Sequence, residues 1–172
     1  MRKVFIVFAL AWMAWGNVCH AQNKESQQSD TLFTKPQEFV LVDSLGKEVK
    51  LSDFRGKSVL LDFGASWCGS CQMILPVLKS VYAEVKQKDV VFISISLDEK
   101  WDAWVNALRR DPLEWICLWD KNGFKNSLLK KQFRYEQIPH LVLIDKKGVV
   151  KVNQLNVFDP ASIKTAILEL CK

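Results

Sequence analysis

The sequence predicts an α/β fold: a mixed central β-sheet flanked by helices, with an N-terminal β-hairpin extension. Three observations carry it. Residues 59–63 (VLLDF) and 90–97 (VVFISISL) have the β-branched, near-continuous hydrophobicity of strands buried on both faces. Between and after them, apolar residues recur at three- and four-residue spacing, as in helices that pack one side. Two turn signals, Asp43-Ser44-Leu45-Gly46 and Asp145-Lys146-Lys147-Gly148, separate short apolar runs and mark hairpins.

From the N-terminus, Arg2 and Lys3 precede an uncharged apolar run from Val4 to Trp15, and small side chains follow at Cys19 and Ala21. This layout predicts a secretory signal peptide over residues 1–21. The run is too short to span a bilayer, which takes about 20 residues, and no other stretch approaches that length, so no transmembrane segment is expected in the mature chain. Lipid attachment at Cys19 is the weaker alternative, because Val18 stands where a small residue is wanted. Either route delivers the chain outside the cytoplasm, into the bacterial periplasm, where disulfides are permitted. Residues 22–35 read as a flexible polar leader and 36–172 as one domain.

Within that domain, residues 39–42 and 47–51 form the first hairpin, and 59–63 the first buried strand. Residues 72–86 follow as a helix with Ile74, Leu75, Leu78, Val81, Tyr82 and Val85 on one face and a kink expected at Pro76. Strand 90–97 leads to a helix over 101–110 that turns Trp104, Val105 and Leu108 inward. A short strand at 115–118 and a helix over 123–134 come next, then the hairpin of 141–144 and 149–152. A last helix starts with Asp159 as cap and Pro160 at its first position and runs to about Cys171.

The chain has 172 residues, 49% hydrophobic and 25% charged, which excludes a disordered or repetitive polymer. Its net charge of +5 falls to +3 when Arg2 and Lys3 leave with the signal peptide, and no basic block remains. Nucleic acid is not an expected partner.

Chemistry concentrates at Trp67-Cys68-Gly69-Ser70-Cys71, where a buried strand hands over to a helix. Unpaired N–H groups and the positive dipole end of the first turn stabilise an anion, which predicts a lowered thiol pKa at Cys68. Two intervening residues let Cys71 fold back one turn and close a small, reversible disulfide. Cys71 is expected to be the more buried sulfur. Two other uses of the pair stay open. Zinc would need two further ligands, and only the isolated Cys117, Cys171, His140 and His20 are available. A structural disulfide would more often close a long loop, since a short ring restrains the unfolded chain least.

The segment Asp62 to Cys71 (DFGASWCGSC) resembles the active-site segment of the thioredoxin superfamily. Its extracytoplasmic TlpA- and ResA-like branch is similar also at residues 39–43, 46–47, 51–57, 138–139 and 143–148, so the likeness covers about residues 36–155. It implies a thioredoxin-like fold and a thiol:disulfide oxidoreductase acting on protein thiols and disulfides. The redox-active Cys68-Cys71 disulfide replaces any cofactor, no metal is implied, and a membrane-embedded thiol donor supplies electrons for reduction. In that family the first Cys is the nucleophile, the second resolves, and the proline matching Pro139 follows a cis bond. Such a bond would expose the Ile138 backbone to pair with an extended substrate beside Cys68; the plainer reading is a strand-start proline.

Asp62 matches the buried acid that relays a proton to or from the second Cys, a role that burial favours by raising a carboxyl pKa. An exposed strand position is the alternative, against which Leu60, Leu61 and Phe63 speak. Trp67 is a lid and part of the substrate surface, or a packing aromatic. Three positions depart from the family. Ser70 stands where proline is usual, and the Gly69-Ser70 pair tunes redox potential. Gly64 replaces a bulky residue and opens space, and Ile74 replaces the Glu of the cytochrome-maturation branch.

Elsewhere, Cys117 is expected in the core and Cys171 free, with a bridge between them as the alternative. His140 reads as a surface residue or a neighbour of the substrate groove. Trp101, Trp104, Trp115 and Trp119 read as core or rim packing. Two competing functions remain. A peroxiredoxin-like peroxidase would want Thr or Ser at Ala65 and Pro at Leu61; a redox-silent substrate-binding or chaperone module would not need Cys68.

Overall fold

The computed structural model describes residues 35–171; the segment expected to be a signal peptide, most of the expected leader and Cys19 lie outside the described residues. The N-terminal hairpin pairs β1 (Val40–Asp43) with β2 (Glu48–Lys50) in antiparallel register. Asp43 builds its turn by accepting the Leu45 and Lys47 backbone N–H groups on Oδ1, and Gly46 supplies the positive φ. A 3-10 turn over Leu51–Phe54 leads into β3 (Ser58–Gly64), an interior strand, buried from Ser58 to Phe63.

Helix α1 (Gly69–Val85) carries the chain back to β4 (Val90–Ser96), and α2 (Trp101–Arg110) carries it to β5 (Ile116–Trp119). Both crossovers return parallel strands. Short helices α3 (Gly123–Asn126) and α4 (Leu128–Phe133) precede the antiparallel pair β6 (His140–Ile144) and β7 (Val150–Asn153). Helix α5 (Pro160–Leu170) closes the domain, with Asp159 accepting the Ala161 N–H as its cap.

The seven strands run in the order β2-β1-β5-β4-β3-β6-β7. Alternation along β3 sorts the core into two layers. Val59, Leu61 and Phe63 join Ile93, Ile95, Leu129, Phe133 and Tyr135 on one face. On the other, Leu60 packs with Phe92, Leu141 and Leu143 under Ile74, Leu78, Val81 and Val85 of α1 and Ile163 and Ile167 of α5. Asp62 belongs to this second face. It therefore points under the first turns of α1, and that places the site.

Boundaries move by one to three residues from expectation, and one element differs in kind. The helix expected over 123–134 is two helices, broken at Ser127, whose backbone is extended (φ −58°, ψ 127°) and whose hydroxyl accepts the Leu129 N–H at 3.1 Å. A serine that caps a new helix interrupts the old one. Helix α1 begins three residues before the expected start, because Cys68 itself caps it, and it continues through Pro76.

Candidate active site

Strand β3 ends at Gly64, and Ser66 is tied down before the helix begins. Asp98, buried just beyond β4, accepts the Ser66 N–H on Oδ2 (2.9 Å) and the Ser66 hydroxyl on Oδ1 (2.7 Å). Ser96 adds a third bond to the same carboxylate at 2.7 Å, and Gln72 Nε2 donates to Ser66 O from the helix side. These bonds set the direction in which the chain enters α1.

Cys68 caps that helix, and its Sγ accepts the Cys71 N–H at 3.1 Å. The two sulfurs are joined in a disulfide with an S–S distance of 2.05 Å and a Cα–Cα distance of 5.2 Å. A helix N-terminus aimed at a sulfur favours negative charge there once the bond is opened. Ser70 Oγ lies 3.4 Å from Cys68 Sγ and donates to the Ile138 carbonyl at 3.5 Å, and that carbonyl lies 3.8 Å from Cys68 Sγ. The Ile138–Pro139 peptide is cis. Cys68, Ser70, Ile138 and Pro139, some 70 residues apart in sequence, thus form one cluster.

Trp67 stands 58% exposed beside it, its ring edge-on to Phe124 at 6.1 Å between centroids. Its exposed face suits a substrate surface and its contact with Phe124 suits packing, so the position accommodates both readings. Gly69 is exposed on the first turn of α1. The two sulfurs differ from expectation: Cys71 is 8% exposed and Cys68 6%, so neither is the more buried. The cause is space behind Cys71. A Cβ at Gly64 would only just touch Cys71 Cβ and Sγ, at 3.5 and 3.6 Å, and a cavity of about 310 Å³ opens there.

Asp62 lines this cavity together with Cys71, Ser94 and Cys117. It accepts the Ser94 hydroxyl on Oδ2 at 2.8 Å. Burial pushes its carboxyl up from 3.8 to about 6, and the Ser94 bond pulls against that rise. Cys117 is partly buried rather than sealed in the core. Burial, and then the nearby Asp62 charge, push its thiol up to about 12. Cys171 is also free and its thiol is raised, mainly by burial, so the alternative bridge to Cys117 is not formed. Ile74 is buried in the α1 core face.

His140 corrects the surface reading. It is 2% exposed, its Nδ1 hydrogen-bonded to the Gln154 amide and its Nε2 to Asn153 Oδ1 at 2.9 Å. Asn153 Nδ2 donates to the Phe133 carbonyl, which fixes the amide's orientation and makes His140 Nε2 the donor. The strand after Pro139 is thereby pinned to the end of α4. Trp101, Trp104 and Trp119 pack against one another at the rim, and Trp115 packs against Tyr82 and Phe92.

Sequence reasoning missed Ser94, Trp115 and Asp98 as parts of the site. A polar residue in an apolar strand was the available signal for Ser94, and Asp98 was visible only as a strand end. Among the described residues no cluster of His, Cys, Asp and Glu has the makings of a metal site, and no helix is long and apolar enough to cross a membrane.

Comparison with known proteins agrees with this geometry. Residues 56–150 match a family model described as thioredoxin-like. The thiol-disulfide oxidoreductase ResA of Bacillus thuringiensis subsp. konkukian is 34% identical over 112 residues, which are 65% of this chain and 62% of that protein. The chain thus spans less than two thirds of that relative's length. Among solved structures, a thiol:disulfide interchange protein DsbE from Chlorobium tepidum superposes with a TM-score of 0.72 at 29% identity, covering 81% of this chain and 96% of that one. A thiol-disulfide oxidoreductase from Bacteroides fragilis gives 0.71 at 27% identity, covering 79% and 98%. With strand order, helix-capping cysteine pair and cis proline all in place, and a family model matched over more than half its length, this chain belongs to the thioredoxin-like family.

Proposed function

We propose that this protein is a thiol:disulfide oxidoreductase that acts on protein disulfides, working as a reductase. The observation that carries the proposal is the Cys68–Cys71 disulfide at the N-terminus of α1, with Ile138 O and the exposed Trp67 beside it. In the reduced protein, the Cys68 thiolate attacks one sulfur of a client disulfide. That S–S bond breaks, a Cys68–client mixed disulfide forms, and the client's other sulfur leaves as thiolate and takes up a proton. Asp62 removes the Cys71 proton, and the Cys71 sulfur then attacks Cys68 Sγ. The Cys68–Cys71 disulfide forms, the mixed disulfide breaks, and two client thiols have gained the two electrons.

In this scheme Trp67, Ile138 and Pro139 bind the client chain, and Gly69 and Ser70 tune the couple. The disulfide serves in place of a cofactor. The signal-peptide layout of residues 1–21 and the resemblance to the extracytoplasmic TlpA- and ResA-like branch support an extracytoplasmic, periplasmic site of action. A membrane-embedded thiol donor would return the electrons. The test is reduction of insulin disulfides by the dithiol-reduced protein, followed by turbidity. The wild type is expected to accelerate precipitation and Cys68→Ser to match buffer alone; equal rates for the two would remove the proposal.

A further inference from the structure

Register places three polar side chains in one row on the cavity face: Asp62 of β3 pairs with Ser94 of β4, and Ser94 with Cys117 of β5. The residue two before Cys117, Trp115, lies partly buried against Tyr82 and Phe92, with ring centroids 5.1 and 5.7 Å away. Its indole Nε1 donates to Ser94 Oγ at 2.9 Å, and Ser94 Oγ donates to Asp62 Oδ2 at 2.8 Å. The direction of this chain is fixed, because an indole N–H can only donate. Ser94 must accept from Trp115, and its single proton goes to Asp62.

We infer that Ser94 and Trp115 are positioning residues for the redox couple, a two-step hydrogen-bond relay that holds Asp62 as a carboxylate and sets the pH at which it takes up a proton. This rests on the proton role proposed above for Asp62. With Asp62 ionised, both relay bonds are made. With a proton on Oδ1, Oδ2 becomes the carbonyl oxygen of a neutral acid and a weaker acceptor for the Ser94 proton, so the relay favours the charged form and opposes the effect of burial. Asp62 Oδ1 has no hydrogen-bond partner among the described residues, and Asp62 shares its cavity with Cys71. One oxygen is thus anchored and the other is left to exchange a proton.

Other groups around the cavity are Cys71 of α1, Asp98 beyond β4, Arg110 and Asp111 of α2 and Cys117 of β5. Asp111 is paired with Lys79, and Asp98 is committed to Ser66 and Ser96. Helix α5 packs on α1 and β3, and its Lys164 is held by Glu84. None of these donates to Asp62, which leaves the relay as its hydrogen-bonded control.

The experiment is a carboxyl-carbon NMR titration of Asp62 in the full chain, with the pH dependence of insulin reduction measured beside it. Ser94→Ala is expected to raise the Asp62 midpoint by about one pH unit, a tenfold gain in proton affinity. Ser94→Thr, which keeps the hydroxyl, should return it to the wild-type value, and Trp115→Phe should raise it by less than Ser94→Ala. The rate inflection should move with the midpoint. An unchanged or lowered midpoint in Ser94→Ala, or no restoration by Thr, would overturn the relay. If the alanine variant does not fold, an unchanged midpoint in Trp115→Phe overturns it equally. Absence of insulin reduction by the wild type would count against the proposed function, while the Asp62 titration would still decide the relay.

Discussion

On its outer side, the Cys68–Cys71 disulfide meets the exposed Trp67, the Ser70 hydroxyl and the Ile138 carbonyl; on its inner side it meets a cavity with a buried acid. The outer side is open, and its groups come from two chain segments brought together by β3 and β6. The inner side is lined by β3, β4 and β5 together with α1 and α2, and it holds its acid in a fixed order of bonds. The contrast teaches a division of labour. In the proposed function, recognition of a client chain falls to the outer side and proton handling to the inner, with the two sulfurs passing bonds between them.

Breaking the outer sulfur should have the largest effect. Cys68→Ser is expected to abolish insulin reduction entirely, measured against buffer, because among the described residues no other thiol caps a helix beside the Ile138 carbonyl. Next comes the inner acid. Asp62→Asn should slow turnover at pH 7 by about a hundredfold, the lower end of what a positioned base contributes.

The same variant should also be more stable in its oxidised form. The Asp62 carboxyl titrates at about 6 in the fold against 3.8 for the free group, so the fold disfavours the charged form. That cost is absent below about pH 3.8, grows between there and pH 6, and is complete above it. A gap of about two units at 1.36 kcal/mol each makes it about 3 kcal/mol. Urea unfolding should therefore show Asp62→Asn more stable by about that amount at pH 8, with no difference at pH 3.

The inner half was also the harder to read from sequence. Asp62, Cys68 and Cys71 lie within ten residues, so a strand-to-helix junction and one short motif expose them together. Ser94 and Trp115 lie 32 and 53 residues beyond Asp62, and they meet it only through strand register and a side chain folded back over β4. No local pattern encodes that meeting. His140 misled for a related reason: at a strand start a histidine is ordinarily wet, and its burial depends on Asn153 and Gln154 from the strand that follows. The sheet itself was legible because β3 and β4 are apolar nearly throughout. The break at Ser127 was not, because apolar spacing continues across it while a hydroxyl cap ends one helix and begins another.

Smaller effects would sharpen the contrast. Trp67→Ala should raise KM for insulin roughly fivefold with kcat little changed, as expected for loss of an exposed aromatic contact. Cys117→Ala removes a thiol from the cavity wall. It should cost about 1 kcal/mol of stability in urea and leave turnover within about twofold.

Cys71→Ser protein, reduced and then mixed with a disulfide-bonded client, tests most directly which sulfur makes the first attack. Peptide mass spectrometry should find the client bonded to Cys68, and the adduct should persist because the sulfur that would release it is gone. A Cys68 left unmodified while Cys117 or Cys171 carries the client would contradict it.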